Sequence, residues 1–353
     1  PVGSALDAGA MVRGFTAYLP GRTLPMLPRP LASGTCSLVE GEERPAHSVF
    51  LEVNEESGEI LSARRCRTLI RVSRRLTFEA VGAILDGDPV ASAESGRDVV
   101  ALVRRLGALA ETMRGRRAAA EGFLRLAVPE VRVLCSEDPP RIMALQRVEP
   151  KAAHALVEEF MLAANVAVAE ELRARDLPGV FRNHGAPQPA ALAALAVWIG
   201  QTLGSGRVNL ADRDALNRFL DGLETSPLRD VAMSQFLRAL PRAGYGGACT
   251  GHYGLGKAVY CHFTSPIRRY PDLAVHQQLL AWDLGQPLRA AETCGEIAAA
   301  CTRLEEQVDA AYYAAVDRLK LRYIRERQEI SPGEVYEARV ARCLAQEIGR
   351  AHV

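Results

Sequence analysis

Residues 252–273 read HYGLGKAVYCHFTSPIRRYPDL and gather side chains suited to holding a phosphate within one short run. Arg268 can grip two phosphate oxygens through its planar fork, Arg269 adds a second charge, and the rings of Phe263 and Tyr270 offer faces on which a base could stack. Ser265 suits a helix N-cap and Pro266 the first helical position, which predicts a helix start with both arginines in its first turn. That end of a helix already carries about half a positive charge, so arginines there imply an anion opposite. Pro271 cannot donate a backbone bond to Ile267, and the first turn is expected to kink or to end before Tyr270. The chemistry is recognition of a phosphodiester; for the Arg-Arg pair alone, a solvated helix start would be the plainer reading.

The elements that must present this run follow from pattern. A helix over 5–13 ends at Gly14, and the stretch 15–38, punctuated by Pro20, Pro25, Pro28 and Pro30, reads as ordered irregular backbone. Alternation over 48–72 around an Asn, Glu, Ser and Gly turn reads as a long β-hairpin, and two strands follow at 123–134 and 141–148. Helical spacing marks 77–85, 98–121, 151–175, 189–203, 212–223, 228–240, 272–283 and 289–327. In the 151–175 helix Glu158, Glu159 and Asn165 interrupt an apolar face. Adjacent helical residues point about 100° apart, so at most one of the two glutamates faces inward, to orient an arginine and not to bind metal. His184 could shuttle protons, but a lone His beside a helix start reads more readily as structural.

The 353 residues carry 43 basic and 42 acidic side chains, a net charge of +1, which is no nucleic-acid footprint in itself. Any RNA affinity must come from charge gathered locally. The basic residues are almost all Arg, with Lys only at 151, 257 and 320, a bias that a GC-rich genome explains. Cysteines at 36, 66, 135, 249, 261, 294, 301 and 343 show no metal spacing and read as free thiols. No stretch reads as long and apolar enough to span a membrane, and no signal peptide opens the chain. A start at Pro1 without Met reads as a fragment.

The run HFTSPIRRYPDL (262–273) resembles, almost letter for letter, the signature of the ribonuclease II / ribonuclease R family, the RNB proteins, which hydrolyse RNA processively from the 3′ end. The resemblance extends over roughly 3–327: RGFTAYLP with PMLP at 25–28, RLTF at 75–78, VEEFMLAAN at 157–165 and FRNHGAP at 181–187 all have counterparts there. It implies an α+β fold, an RNB-type catalytic domain with a mixed β-sheet surrounded by helices, its N-terminal part missing. Residues 1–329 would be that domain, 330–346 the first strand of a truncated C-terminal oligonucleotide-binding (OB-type) barrel, and 347–353, EIGRAHV, a non-native adapter-derived tail.

The implied function is a processive 3′-to-5′ hydrolytic exoribonuclease that releases nucleoside 5′-monophosphates from single-stranded RNA. The alternative is a non-catalytic RNA-binding relative that keeps the channel. By the resemblance Arg268 is catalytic, and Tyr18, Phe78, Thr264, Ser265, Arg269 and Tyr270 contact RNA. The cofactor is Mg²⁺, held by an acidic D-x-D-D-type loop that is not in this sequence and is expected upstream of Pro1, leaving the fragment itself inactive. A cytoplasmic monomer with no membrane partner completes the expectation. Two positions depart from the family pattern: Phe78 stands where a Tyr is usual, and Tyr312 where some members carry a Glu that helps orient the site.

Overall fold

Local signals set most element boundaries in the computed structural model, which describes all residues except 125–129, 137–141, 149–150, 205–207, 224, 334, 336–338, 345–346 and 353. Ser4 caps α1 (Ala5–Arg13), and Gly14, at φ +68°, ends it. Then come β1 (Ala17–Leu19), β2 (Arg22–Leu24), a π-helical turn over Pro30–Thr35, β3 (Glu43–Val53) and β4 (Ile60–Arg71). Thr77 caps α2 (Phe78–Leu85) by accepting from Ala80 N at 3.1 Å. There follow α3 (Pro89–Ser95), α4 (Arg97–Ala120), β5 (Glu130–Cys135), β6 (Ile142–Val148), α5 (Ala152–Ala174), β7 (Phe181–Asn183), α6 (Pro189–Leu203), α7 (Arg213–Gly222) and α8 (Arg229–Ala239). The chain continues through β8 (Gly244–Gly246), a 3-10 turn over Tyr253–Leu255, α9 (Tyr270–Asp283), α10 (Ala291–Ile330), β9 (Arg339–Leu344) and β10 (Glu347–His352).

The expected α+β class holds, but the described strands do not join into one mixed sheet. They pair two by two, all antiparallel: β1 with β2, β3 with β4, β5 with β6, β7 with β8, β9 with β10. The segment read as the opening strand of a barrel thus pairs with the segment read as a tail. Beside the long β3–β4 hairpin lie helices, and the extended run before α9 is held by side chains in place of a neighbouring strand.

The largest core cluster brings α5 (Val168, Ala169, Leu172) together with α9 (Ala274, Val275, Leu279), α10 (Cys294, Ala298, Cys301), Met26 and the run Val259, Cys261, Phe263. A second cluster joins α6, α7 and α8 around Leu216 and Phe236, and a third joins α2 and α4 through Ile84, Val100 and Val103. Contrary to the sequence reading, α5 is long and apolar enough to cross a membrane by length and composition, with a mean hydropathy of 1.3 over its apolar window. Its apolar face is instead the central surface of the core, packed on α2, α4 and the β3–β4 hairpin.

One arginine docks that hairpin. Arg65 on β4 donates from Nε to Glu171 of α5 at 2.8 Å and from Nη1 to Asp283 of α9 at 2.7 Å, while Nη2 reaches both carboxylates. His47 Nε2 accepts a further bond from Nη1 at 3.0 Å, so that ring is neutral. The hydrogen bond from Arg65 holds the Asp283 carboxyl below the usual carboxylate range. Arg65→Leu leaves two carboxylates facing each other; because both keep contact with water, the expected loss is about 2–3 kcal/mol in urea unfolding, at or below the lower end for a broken buried pair. The folded Asp283 value lies below the unfolded one, so this stabilisation is complete near neutral pH and fades as pH falls through the folded value. The gap between wild type and Arg65→Leu should therefore shrink on acidification.

Candidate functional site

Ahead of α9 the chain is extended, and its backbone donors are met by side chains. Phe263 N and Thr264 N both donate to one oxygen, Asn165 Oδ1 on α5, at 2.9 and 3.2 Å. Ser265 N donates to Asp272 Oδ1 at 2.8 Å. Asn165 is 2% exposed and Asp272 fully buried, so these bonds face no competition from water. Asn165 Nδ2 donates to the Tyr260 hydroxyl at 3.1 Å, which fixes the end of the carboxamide that faces the backbone. On the far side His276 Nε2 donates to Phe263 O at 2.9 Å, and the two rings stack with centroids 4.1 Å apart.

The helix does not open at Ser265. Residues 266–268 form a turn in which Arg268 N and Arg269 N both reach Ser265 O, at 3.2 and 3.1 Å. α9 begins at Tyr270 with Arg269 as N-cap, because Pro271 takes a position in the first turn where no N–H is needed. The arginines therefore precede the first turn, and the acidic residue in it is Asp272. Its Oδ1 accepts from Arg269 Nη2 at 2.7 Å, so half of the anion that the sequence called for is internal. Burial pushes the Asp272 carboxyl up, against the pull of the Arg269 charge.

The residues after α1 hold the turn from the other side. Thr16 N donates to Arg268 O at 2.9 Å and Tyr270 N to Gly14 O at 2.8 Å. Gly14 is required there, since a Cβ at its positive φ would lie 2.7 Å from Leu304 Cδ1. Arg268 is thus fixed by its backbone and exposed by its side chain, which has no hydrogen bond or ion pair among the described residues.

The other expected contacts divide. Tyr18 is 54% exposed and lies on β1, two residues beyond Thr16, whose N–H bonds the turn. Phe78 is 43% exposed; one face stacks on His154 of α5, with centroids 4.1 Å apart, leaving an open face about 11 residues, or roughly 16 Å, along α5 from Asn165. Ser265 is half-buried, and Thr264 turns its hydroxyl into the protein without a partner. Arg269 is 84% buried by side chain in its pair with Asp272. Tyr270 and Phe263 are corrected: each is 3% exposed, so neither ring has a free face. Tyr270 donates its hydroxyl to Asp7 Oδ1 at 3.0 Å, which also accepts from Gln277 at 2.8 Å. Burial would raise Asp7, but these hydrogen bonds and the Arg289 charge outweigh it and hold the carboxyl low. Among the described cavities none is lined by residues 265–270.

Glu159 orients an arginine, as expected: it pairs with Arg117 of α4, whose guanidinium lies 3.8 Å over the Phe123 ring. Tyr312 is half-buried on α10, and two turns earlier on that helix the Glu305 carboxylate accepts from Arg182 at 2.6 Å. Arg182 lies over the Tyr245 ring, whose hydroxyl shares a 2.9 Å bond with His262 Nδ1. His184 is structural: its Nδ1 accepts from Gly254 N at 3.0 Å and its Nε2 donates to Pro241 O at 2.8 Å. Burial lowers His47 and His184, and brings His252 to about 3, His262 to about 2 and His276 to about 4, so none of these five is charged near pH 7. Among the described residues no three His, Cys, Asp or Glu side chains converge to hold a metal ion, so Mg²⁺ does not fit this set. Nucleases of the RNB family are generally metal-dependent.

A model of the RNB domain matches residues 1–283. The chain belongs to the RNB family. Ribonuclease R of Thermotoga maritima is 32% identical over 332 residues, covering 91% of this chain and 46% of that protein. The chain thus spans about half the length of the curated relatives it matches. Among solved structures, Mycoplasma genitalium RNase R in complex with ribose methylated single-stranded RNA superposes with a TM-score of 0.82 at 23% identity, over 90% of this chain and 50% of that one. Yeast Ssd1, a pseudonuclease, superposes at 0.72 and 21% identity, over 90% of this chain and 38% of its own. The RNB fold therefore houses both nucleases and a protein without that activity. In this RNB chain Tyr270→Phe should cost about 1.5–3 kcal/mol in thermal or urea unfolding, the range for a lost bond to a charged group.

Proposed function

We propose that this RNB chain is the RNA-gripping part of a processive 3′-to-5′ exoribonuclease that releases nucleoside 5′-monophosphates from single-stranded RNA. The observation that carries the reading is Arg268, a cation fixed by backbone bonds from two sides yet exposed and without an ion-pair partner among the described residues. Its guanidinium takes two oxygens of the scissile phosphate and stabilises the negative charge that builds as the bond breaks, a contact worth several kcal/mol in comparable sites. Arg269, already paired with Asp272, keeps the turn in shape and adds to the local potential. Tyr18 and the open face of Phe78 supply stacking for bases along the strand. The proposed cofactor is Mg²⁺, with ligands on parts of the whole protein outside this chain; a cytoplasmic monomer acting on single-stranded RNA completes the proposal. The competing reading, an RNA-binding relative without hydrolysis, draws on Phe78, which lacks the hydroxyl usual at that place.

Binding and chemistry are separable. The 353-residue chain should bind a fluorescein-labelled oligouridylate in anisotropy titrations, and Arg268→Ala should weaken it and reduce the slope of log K against log salt by about 0.7, the release expected per phosphate contact on a single strand. In the natural protein that carries this chain, Arg268→Ala should lower turnover at saturating RNA, and Arg268→Lys should restore little of it because a point charge cannot make the planar grip. Mononucleotide release by the natural protein supports the nuclease reading; binding without release supports the other.

A further inference from the structure

Asn165 stands out among the polar groups of the core. It sits in the middle of a long, apolar helix, at a position where Asn costs helix stability and where a buried amide must be fully bonded. Every polar atom of its side chain is used on the same few residues: Oδ1 takes Phe263 N and Thr264 N, and Nδ2 goes to the Tyr260 hydroxyl. Its own backbone oxygen accepts from Cys261 Sγ at 3.5 Å. Among the described residues no other group bonds the N–H of Phe263 or Thr264. The next donor, Ser265 N, is taken by Asp272, and Ser265 O then receives both Arg268 N and Arg269 N. A continuous set of bonds thus runs from Asn165 to the backbone of Arg268.

We propose that Asn165 is a positioning residue for RNA recognition: one carboxamide oxygen stands in for a neighbouring strand, sets the register of Phe263 and Thr264, and so decides where the Arg268 guanidinium is presented. This rests on the reading of Arg268 as an RNA contact. Without that oxygen, the buried N–H of Phe263 and the part-buried N–H of Thr264 lose their partner and the segment must shift to find another. Asn165→Asp keeps an acceptor for both N–H groups, and the Tyr260 hydroxyl can turn to donate to it. Asn165→Leu keeps the volume and removes the acceptor. A residue that merely fills the core would change the folded fraction but not the number of phosphates contacted by the molecules that remain folded.

The test uses the 353-residue chain, with folding followed by circular dichroism and binding by anisotropy of a labelled oligouridylate over a series of KCl concentrations. Folded Asn165→Leu should bind about tenfold more weakly with a smaller salt slope, as expected when a phosphate contact is lost, whereas Asn165→Asp should keep the wild-type slope. Wild-type affinity and slope in folded Asn165→Leu would overturn the proposal, as would a slope in Asn165→Asp as low as that of the leucine variant. Failure of both Asn165→Leu and Asn165→Ala to fold would also overturn it, by assigning the residue to folding alone. If the wild-type chain binds no oligouridylate, the RNA reading itself fails. The placement claim is then decided by amide chemical shifts of residues 266–269, which must move in Asn165→Leu and stay in Asn165→Asp.

Discussion

Three consecutive backbone N–H groups, those of Phe263, Thr264 and Ser265, are each held by a side-chain oxygen and not by a strand or a helix. Leaving one such donor buried and unpaired costs about 1–3 kcal/mol, so the segment is committed to the places where Asn165 and Asp272 stand. Those two residues lie on α5 and α9, and the geometry of the basic turn is therefore only as exact as the packing of these two helices. Much of the remaining polar structure fixes that packing. Arg65 bonds carboxylates on both helices, Glu159 ties α5 to α4 through Arg117, and Asp7 ties α1 to α9 through Tyr270 and Gln277.

The same constraint divides the two arginines. Asp272, in the first turn of α9, satisfies the helix N-terminus and one of the cations placed just before it, and Arg269 is drawn inward. Arg268 forms no ion pair among the described residues, and its backbone is clamped by Thr16 while its side chain stays outside. A guanidinium on a fixed backbone, exposed and without an ion-pair partner among the described residues, is open to a phosphate, and only its side chain remains to be ordered when the phosphate arrives.

Much of this was legible in the sequence, for reasons that differ by element. α1 and α6 fall where their periodicity, caps and breakers put them, and the 100° step between neighbours on a helix allowed only one of Glu158 and Glu159 to turn inward, which the structure shows to be Glu159. The basic turn as an element apart from α9 was visible in Pro271, although the helix start itself was read four residues early, because Ser265-Pro266 carries a start signal that tertiary bonds override. Burial was not legible. An aromatic beside an arginine reads as a stacking platform, and only the fold shows that Phe263 packs on His276 and Tyr270 reaches Asp7, which is 263 positions away in the chain. The membrane-like hydropathy of α5 belongs to a helix that packs one face into the core, and the role of Asn165 left just one trace, a polar residue interrupting an apolar face.

The central claim, that side-chain oxygens on α5 and α9 fix this segment, is tested most directly by amide hydrogen exchange of Phe263, Thr264 and Ser265 in the wild-type chain. The account predicts protection comparable to that of the buried middle of α9, even though none of the three lies in a helix or a strand. Exchange as fast as in an exposed turn would contradict it.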